Sequence, residues 1–126
     1  MESTGMKTSS AKAKGRNLQN LVVKKLLDSF EQFTERDVRG APMGTNGADV
    51  VLSEAAHGLL KCQIECKSRA MMAVYKDYEQ AQTHGDSEPI VVIKQNRSKP
   101  LAVMDLDYFI KLLKEYSRCH GQIINL

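Results

Sequence analysis

The stretch Ile90-Val91-Val92-Ile93, entered through Pro89 and left at Lys94, constrains this chain more than any other. Four consecutive β-branched residues present no polar face and no helical period, so they read as a strand buried on both sides. Such a strand needs a covering layer above and below. One layer is marked by Leu18, Leu21, Val22, Leu26, Leu27 and Phe30, which recur at three- and four-residue steps and predict a helix from about Lys14 to Phe33. A second helix fits Val74 to His84, stopped by Gly85, and a third runs from an Asp105 cap to about Tyr116.

Further strands fit Ala48 to Leu52, Leu59 to Lys67 and Leu101 to Met104, with a short one around Arg36 to Arg39. Thr34 to Gly47 is a linking region in which Pro42 and three glycines permit sharp turns. Ser53 offers an N-cap to a brief helical turn through His57, ended by Gly58, and Lys94 to Pro100 reads as a basic loop. The order is helix, three strands, helix, strand, strand, helix. It predicts an α/β fold with a mixed central sheet of about four to five strands flanked by helices.

A chain of 126 residues suffices for one ordinary domain. Residues 1–13 carry no apolar period and read as a flexible basic segment, leaving 14–126 as the single domain. Lys7, Lys12, Lys14 and Arg16 stand against Glu2 in the head, which accounts for the whole net charge of +3. Such a head suits a phosphate backbone, or serves as a solubilising leader. No apolar run reaches membrane-spanning length, no secretory core opens the chain, and three cysteines do not suggest a disulfide framework; a cytoplasmic setting is expected.

The chemistry concentrates in Gly47-Ala48-Asp49-Val50-Val51 and in Gln63-Ile64-Glu65-Cys66-Lys67-Ser68-Arg69. On a strand the side-chain period is two, so Glu65 and Lys67 share one face while Ile64 and Cys66 share the other. A charge inside an otherwise apolar strand needs a partner or a metal, although an isolated Glu-x-Lys also fits an edge strand with a solvated face. Two carboxylates and an ammonium are the parts needed to hold a hard divalent cation and a phosphate ester beside an attacking water. Zinc fits less well, because Cys62 and Cys66 on one strand would stand roughly 13 Å apart, with Cys119 and His120 far along the chain. His57, His84 and His120 are scattered and read as helix-terminal or surface residues.

Asp49 followed by Glu65-Cys66-Lys67, with a helix before and after, resembles the PD-(D/E)xK nuclease superfamily. Lys14-Gly15-Arg16 and Ile64 to Arg69 look like the matching parts of archaeal Holliday-junction resolvases. Met43-Gly44, Gly47 and the Lys94 to Pro100 segment look like small phage-type endonucleases. The resemblance covers roughly Lys14 to Leu113 and implies a restriction-endonuclease-like fold and a structure-selective, metal-dependent DNA endonuclease acting on branched or duplex DNA as a homodimer. It implies Mg²⁺, replaceable by Mn²⁺, held by Asp49, Glu65 and the Cys66 backbone carbonyl. Lys67 would assist the attacking water or neutralise the oxyanion, and Gln80, favoured over Gln82, would orient a water or a phosphate.

Gln19 stands where many resolvases carry a Glu, and is either a neutral site residue or an exposed helix residue. Lys14, Arg16, Arg36, Arg39, Arg69, Lys94, Arg97 and Lys99 are candidate DNA-backbone contacts or solvated surface. Met71, Met72 and Tyr75, or Ile123-Ile124, are candidate dimer surfaces. A non-cleaving nucleic-acid-binding domain of the same fold is the alternative.

Overall fold

The computed structural model describes the backbone of residues 2–43 and 47–124, and the side chains of residues 10–43 and 47–121. Gly44, and the side chains of Lys7, Ile123 and Ile124, lie outside the described residues. The first helix, α1 (Glu2–Ser29), begins at Glu2 rather than near Lys14. Ala, Lys, Met and Glu in the head are good helix formers and no proline interrupts them. Its apolar stripe behaves as the spacing predicts: Leu18 is buried, and Leu21, Val22, Leu26, Leu27 and Phe30 pack against the core.

Five strands follow, and the fold is mixed α/β, but they do not make one central sheet. β1 (Val38–Gly40) and β2 (Val50–Leu52) form an antiparallel pair. β3 (Cys62–Arg69), β4 (Glu88–Gln95) and β5 (Leu101–Val103) form a separate three-stranded sheet in the order β3-β4-β5. Within it β3 and β4 are parallel and β4 and β5 antiparallel. The break has a local cause. Asp49 N–H donates to the Ile64 carbonyl at 3.0 Å, as a strand neighbour would. The next donor along that edge, Cys66 N–H, goes to the Asp49 side chain instead.

The apolar run that anchors the fold is central in its sheet, as expected, yet it is not sealed on both sides. Pro89 and Val91 are buried, whereas Ile90, Val92 and Ile93 are half-buried. Ile90 and Val92 pack on the core that faces α1, together with Ile64 and Cys66. The opposite face is covered by α3 (Val74–Gln82), the crossover between the parallel strands.

Local signals place the connections. Ser53 Oγ accepts from Ala56 N–H at 3.1 Å and caps α2 (Glu54–Leu60). That helix passes Gly58 and ends at Lys61, whose left-handed φ of 56° lets its N–H reach the His57 carbonyl. The following strand therefore begins at Cys62, not Leu59. Asp105 caps α4 (Leu106–Ile124) by accepting from Tyr108 N–H at 3.1 Å, and the helix runs well past Tyr116. Leu106, Phe109, Ile110, Leu112, Leu113 and Tyr116 on α4 are all exposed.

Candidate metal and nucleic-acid site

The odd-numbered face of β3 is polar at every position and lies beneath α3. Gln63 Nε2 donates to the Ala81 carbonyl at 2.8 Å. Glu65 Oε1 lies 2.9 Å from His84 Nδ1. Lys67 Nζ donates to Gln80 Oε1 at 2.9 Å. Arg69 grips Asp77 with one nitrogen, at 2.8 Å to Oδ1 and 3.1 Å to Oδ2. Steps of three and four bring Asp77, Gln80 and Ala81 onto one side of α3, and His84 continues that line past its end. Strand and helix thus run past each other as two matched polar edges.

Glu65 is only 1% exposed, and its Oε2 has no hydrogen-bond partner. Burial pushes its carboxyl above the ordinary range, and the Asp49 charge adds to this; His84 and Lys67 pull the other way. Asp49 is half-buried at the junction of the two sheets. Its Oδ2 accepts from Cys66 N–H at 2.6 Å, and its own carbonyl accepts from Ala41 N–H at 2.8 Å. The carboxylate therefore sits against the main chain between Glu65 and Lys67. Since the N–H and C=O of a strand residue leave on the same edge, the Cys66 carbonyl also faces Asp49.

Gln19 is buried at 5% exposure, which removes the reading of an exposed helix residue. Its Nε2 donates to the Ala41 carbonyl at 3.0 Å and to the Asp49 carbonyl. The amide thus ties α1 to the backbone that carries Asp49. Gly40 makes room for it, because a Cβ there would stand 3.1 Å from the Gln19 amide.

The cysteines stand apart from this chemistry. The Cys66 thiol faces the core, where burial above all, then the charges of Asp49 and Glu65, push it up to about 12. Burial raises Cys62 as well, and Cys119 is exposed on α4. Among the described residues no group of three or more His, Cys, Asp or Glu side chains is arranged to hold a metal ion. What the fold does bring together is the Asp49 carboxylate on the Cys66 N–H, one residue along the strand from Glu65.

The basic candidates divide by position. Lys14 and Lys94 are half-buried beside Ser68, and Arg69 is engaged with Asp77. Arg16, Arg36, Arg39, Arg97 and Lys99 are exposed, Arg39 on β1 and Arg97 at a left-handed φ of 63° after β4. Gln82 is exposed, and Gln80 holds Lys67. Sequence reasoning passed over Asp77 and Gln63, and read as a helix-terminal or surface residue the His84 that stands beside Glu65 just past the end of α3. The usable signal was the polar series 77, 80, 84 at helical spacing opposite the polar series 63, 65, 67, 69 at strand spacing. No protein-family model, curated protein or solved structure matches this chain.

Proposed function

We propose that this protein is a Mg²⁺-dependent endonuclease that hydrolyses phosphodiester bonds of DNA, with branched or junction DNA as its preferred substrate. One observation carries the reading: Glu65 keeps a buried, unpartnered carboxylate oxygen beside a second carboxylate, Asp49. Two acids brought together under burial repel, and an orphaned anionic oxygen costs several kcal/mol unless something cationic completes it. A hard divalent ion held by Asp49, Glu65 and the Cys66 carbonyl fits that donor set, since Mg²⁺ takes few protein oxygens and keeps waters for the rest.

When bound, Mg²⁺ supplies Lewis-acid charge to the scissile phosphate and its leaving oxygen. The remaining work belongs to the side chains. Lys67 presents its ammonium on the same strand face as Glu65, where it can hold the attacking water or the developing oxyanion. Gln80 fixes the Lys67 ammonium through its amide oxygen and leaves its own amide N–H₂ for a water or phosphate oxygen. His84 Nδ1 stands 2.9 Å from one Glu65 oxygen, and the other oxygen is left without a partner. Gln19 holds the Asp49 main chain.

Cutting both strands of a junction requires two sites, so we propose a homodimer. The exposed apolar face of α4 suits a second copy, because a helix with so many uncovered large side chains gains little from its own fold. Met71 and Tyr75, also exposed, offer a smaller surface.

The decisive experiment incubates the protein with a four-way junction, linear duplex, single strand and RNA, with Mg²⁺, Mn²⁺ or chelator. Metal-dependent cleavage confined to the junction supports the full reading. Binding to DNA without cleavage under any metal overturns it and leaves a non-cleaving binding domain. Light scattering checks the dimer, and Leu113→Glu is expected to yield monomers.

A further inference from the structure

We infer that the cleft between α1 and the carboxyl ends of β3 and β4 seats a backbone phosphate of the DNA strand, adjacent to the phosphate at Lys67. The inference rests on the nucleic-acid reading of the Lys67 site and adds a second anchoring point to it. Two depressions meet there and share Lys14 and Ser68. Their other polar lining is Ser10, Asn17, Arg69 and Lys94, and no carboxylate is among the lining residues.

The cations are set into the fold rather than scattered on it. Lys14 and Lys94 are half-buried, with Leu18 and Leu21 lining the same cleft. Neither has a carboxylate partner among the described residues. Lys14 Nζ is steadied by Asn96 Oδ1 at 3.0 Å, and Asn96 N–H donates to the Arg69 carbonyl at 3.2 Å. The turn after β4 is thereby tied to the end of β3, with one ammonium held over the gap. Removing two cations partly from water with no anion beside them is costly, and a phosphate supplies the missing charge.

Position agrees with charge. In α/β sheets the loops leaving the carboxyl ends of parallel strands open the crevice in which ligands bind, and β3 and β4 are the parallel pair. Lys67 lies two residues before the end of β3, about 6.7 Å along the strand. A nucleic-acid strand crossing that end meets Lys67 on one face and the two lysines on the other. No aromatic side chain lines the cleft, so it has nothing on which to stack a base. It reads phosphate and not sequence.

The test uses the full chain in chelator, where binding is separated from cleavage. Anisotropy of a labelled junction is measured from 50 to 200 mM salt for wild type, Lys14→Gln, Lys94→Gln and the double variant, with Lys25→Gln and Lys111→Gln, at exposed positions, as comparators. Each cleft substitution is expected to reduce the log–log salt slope, and the pair to reduce it by about 0.9, the loss of one phosphate contact. The comparators should keep the wild-type slope. Unchanged slopes in the cleft variants, or an equal drop in Lys25→Gln, overturn the inference. Should Lys14→Gln melt early, Lys94→Gln alone decides. Saturation by inorganic phosphate with no oligonucleotide binding also overturns it, in favour of a small-anion site. Altered slopes in a protein that cleaves nothing sink the catalytic reading and leave this one standing.

Discussion

Glu65 and His84 approach to 2.9 Å across the gap between β3 and the end of α3, at ion-pair distance, while the other Glu65 oxygen meets no donor. A carboxylate so placed is oriented on one side and uncompensated on the other. Its behaviour should report both the burial and whatever cation completes the site.

The first prediction follows from sign. The Glu65 carboxyl is held above its ordinary range, first by burial and then by Asp49, so the folded state binds this proton more tightly than the unfolded chain. Its contribution to stability is therefore present at low pH and lost as pH rises through the raised value. In chelator, Glu65→Gln should gain in melting temperature relative to wild type as pH rises from the ordinary value of 4.5 through the raised one. With Mn²⁺ or Mg²⁺ at 100 times Kd, wild type should be stabilised by about 2.7 kcal/mol and the Gln variant should not respond. Parallel melting curves across this range would refute the buried-charge account.

Lys67 and Gln80 should separate chemistry from positioning. Lys67→Met should lower cleavage by about 10²- to 10⁴-fold with junction binding in chelator nearly retained. Gln80→Ala should lower it less, because it only frees the ammonium that Gln80 holds at 2.9 Å. Single-turnover rates across pH check both. Equal losses in the two variants would contradict a positioning role.

Asp77 is 3% exposed and depends on Arg69, whose side chain is 43% exposed. Arg69→Met leaves a buried carboxylate without its cation and should cost about 1–3 kcal/mol in chemical denaturation. In an Asp77→Asn background the same substitution should cost clearly less. Additive effects in the double-mutant cycle would show that the pair is not coupled.

Gly40→Ala drives a methyl against the Gln19 amide at 3.1 Å. Since Gln19 holds the Asp49 carbonyl, the strain should reach the site: about 1–3 kcal/mol of stability is lost, and the metal-dependent thermal shift shrinks. Thermal melting with and without Mn²⁺ is the measurement. A variant with full stability and an unchanged shift would mean the amide moves aside freely.

Asp37 gives the opposite pH sign. The Thr34 backbone first, then Ser53, hold its carboxyl below the ordinary range, so its contribution is present above the unfolded value and lost as pH falls through the folded one. Asp37→Asn should therefore flatten the acid limb of a melting-temperature profile. An acid limb unchanged by this substitution would remove Asp37 from the acid response.

The elements themselves were readable because each rests on neighbours in the chain. Ile90 to Ile93 has no helical period, Leu18 to Phe30 has nothing else, and Ser53 and Asp105 are short side chains placed to accept from N–H groups three residues on. The Asp49, Glu65 and Lys67 set was legible for the same reason, since a charge in an apolar strand stands out in a list of letters. Helix ends were less so. Lys61, a non-glycine in the left-handed region, ends α2 where Gly58 offered the conventional stop.

Apart from residues 2–13, which are helical where a flexible head was expected, local sequence by itself determined which segments are helix and strand and which face of β3 is polar, because periodicity is a property of a few adjacent residues. The tertiary structure decided the partners. It set α3 against β3 so that His84 meets Glu65 and Gln80 meets Lys67, and it turned Gln19 inward to the Asp49 carbonyl. It also divided the sheet, because the Cys66 N–H that a longer β2 would have used goes to the Asp49 carboxylate. Those choices join residues far apart in the chain, and a backbone donor can be satisfied by a strand or by a side chain; only the assembled fold selects between them.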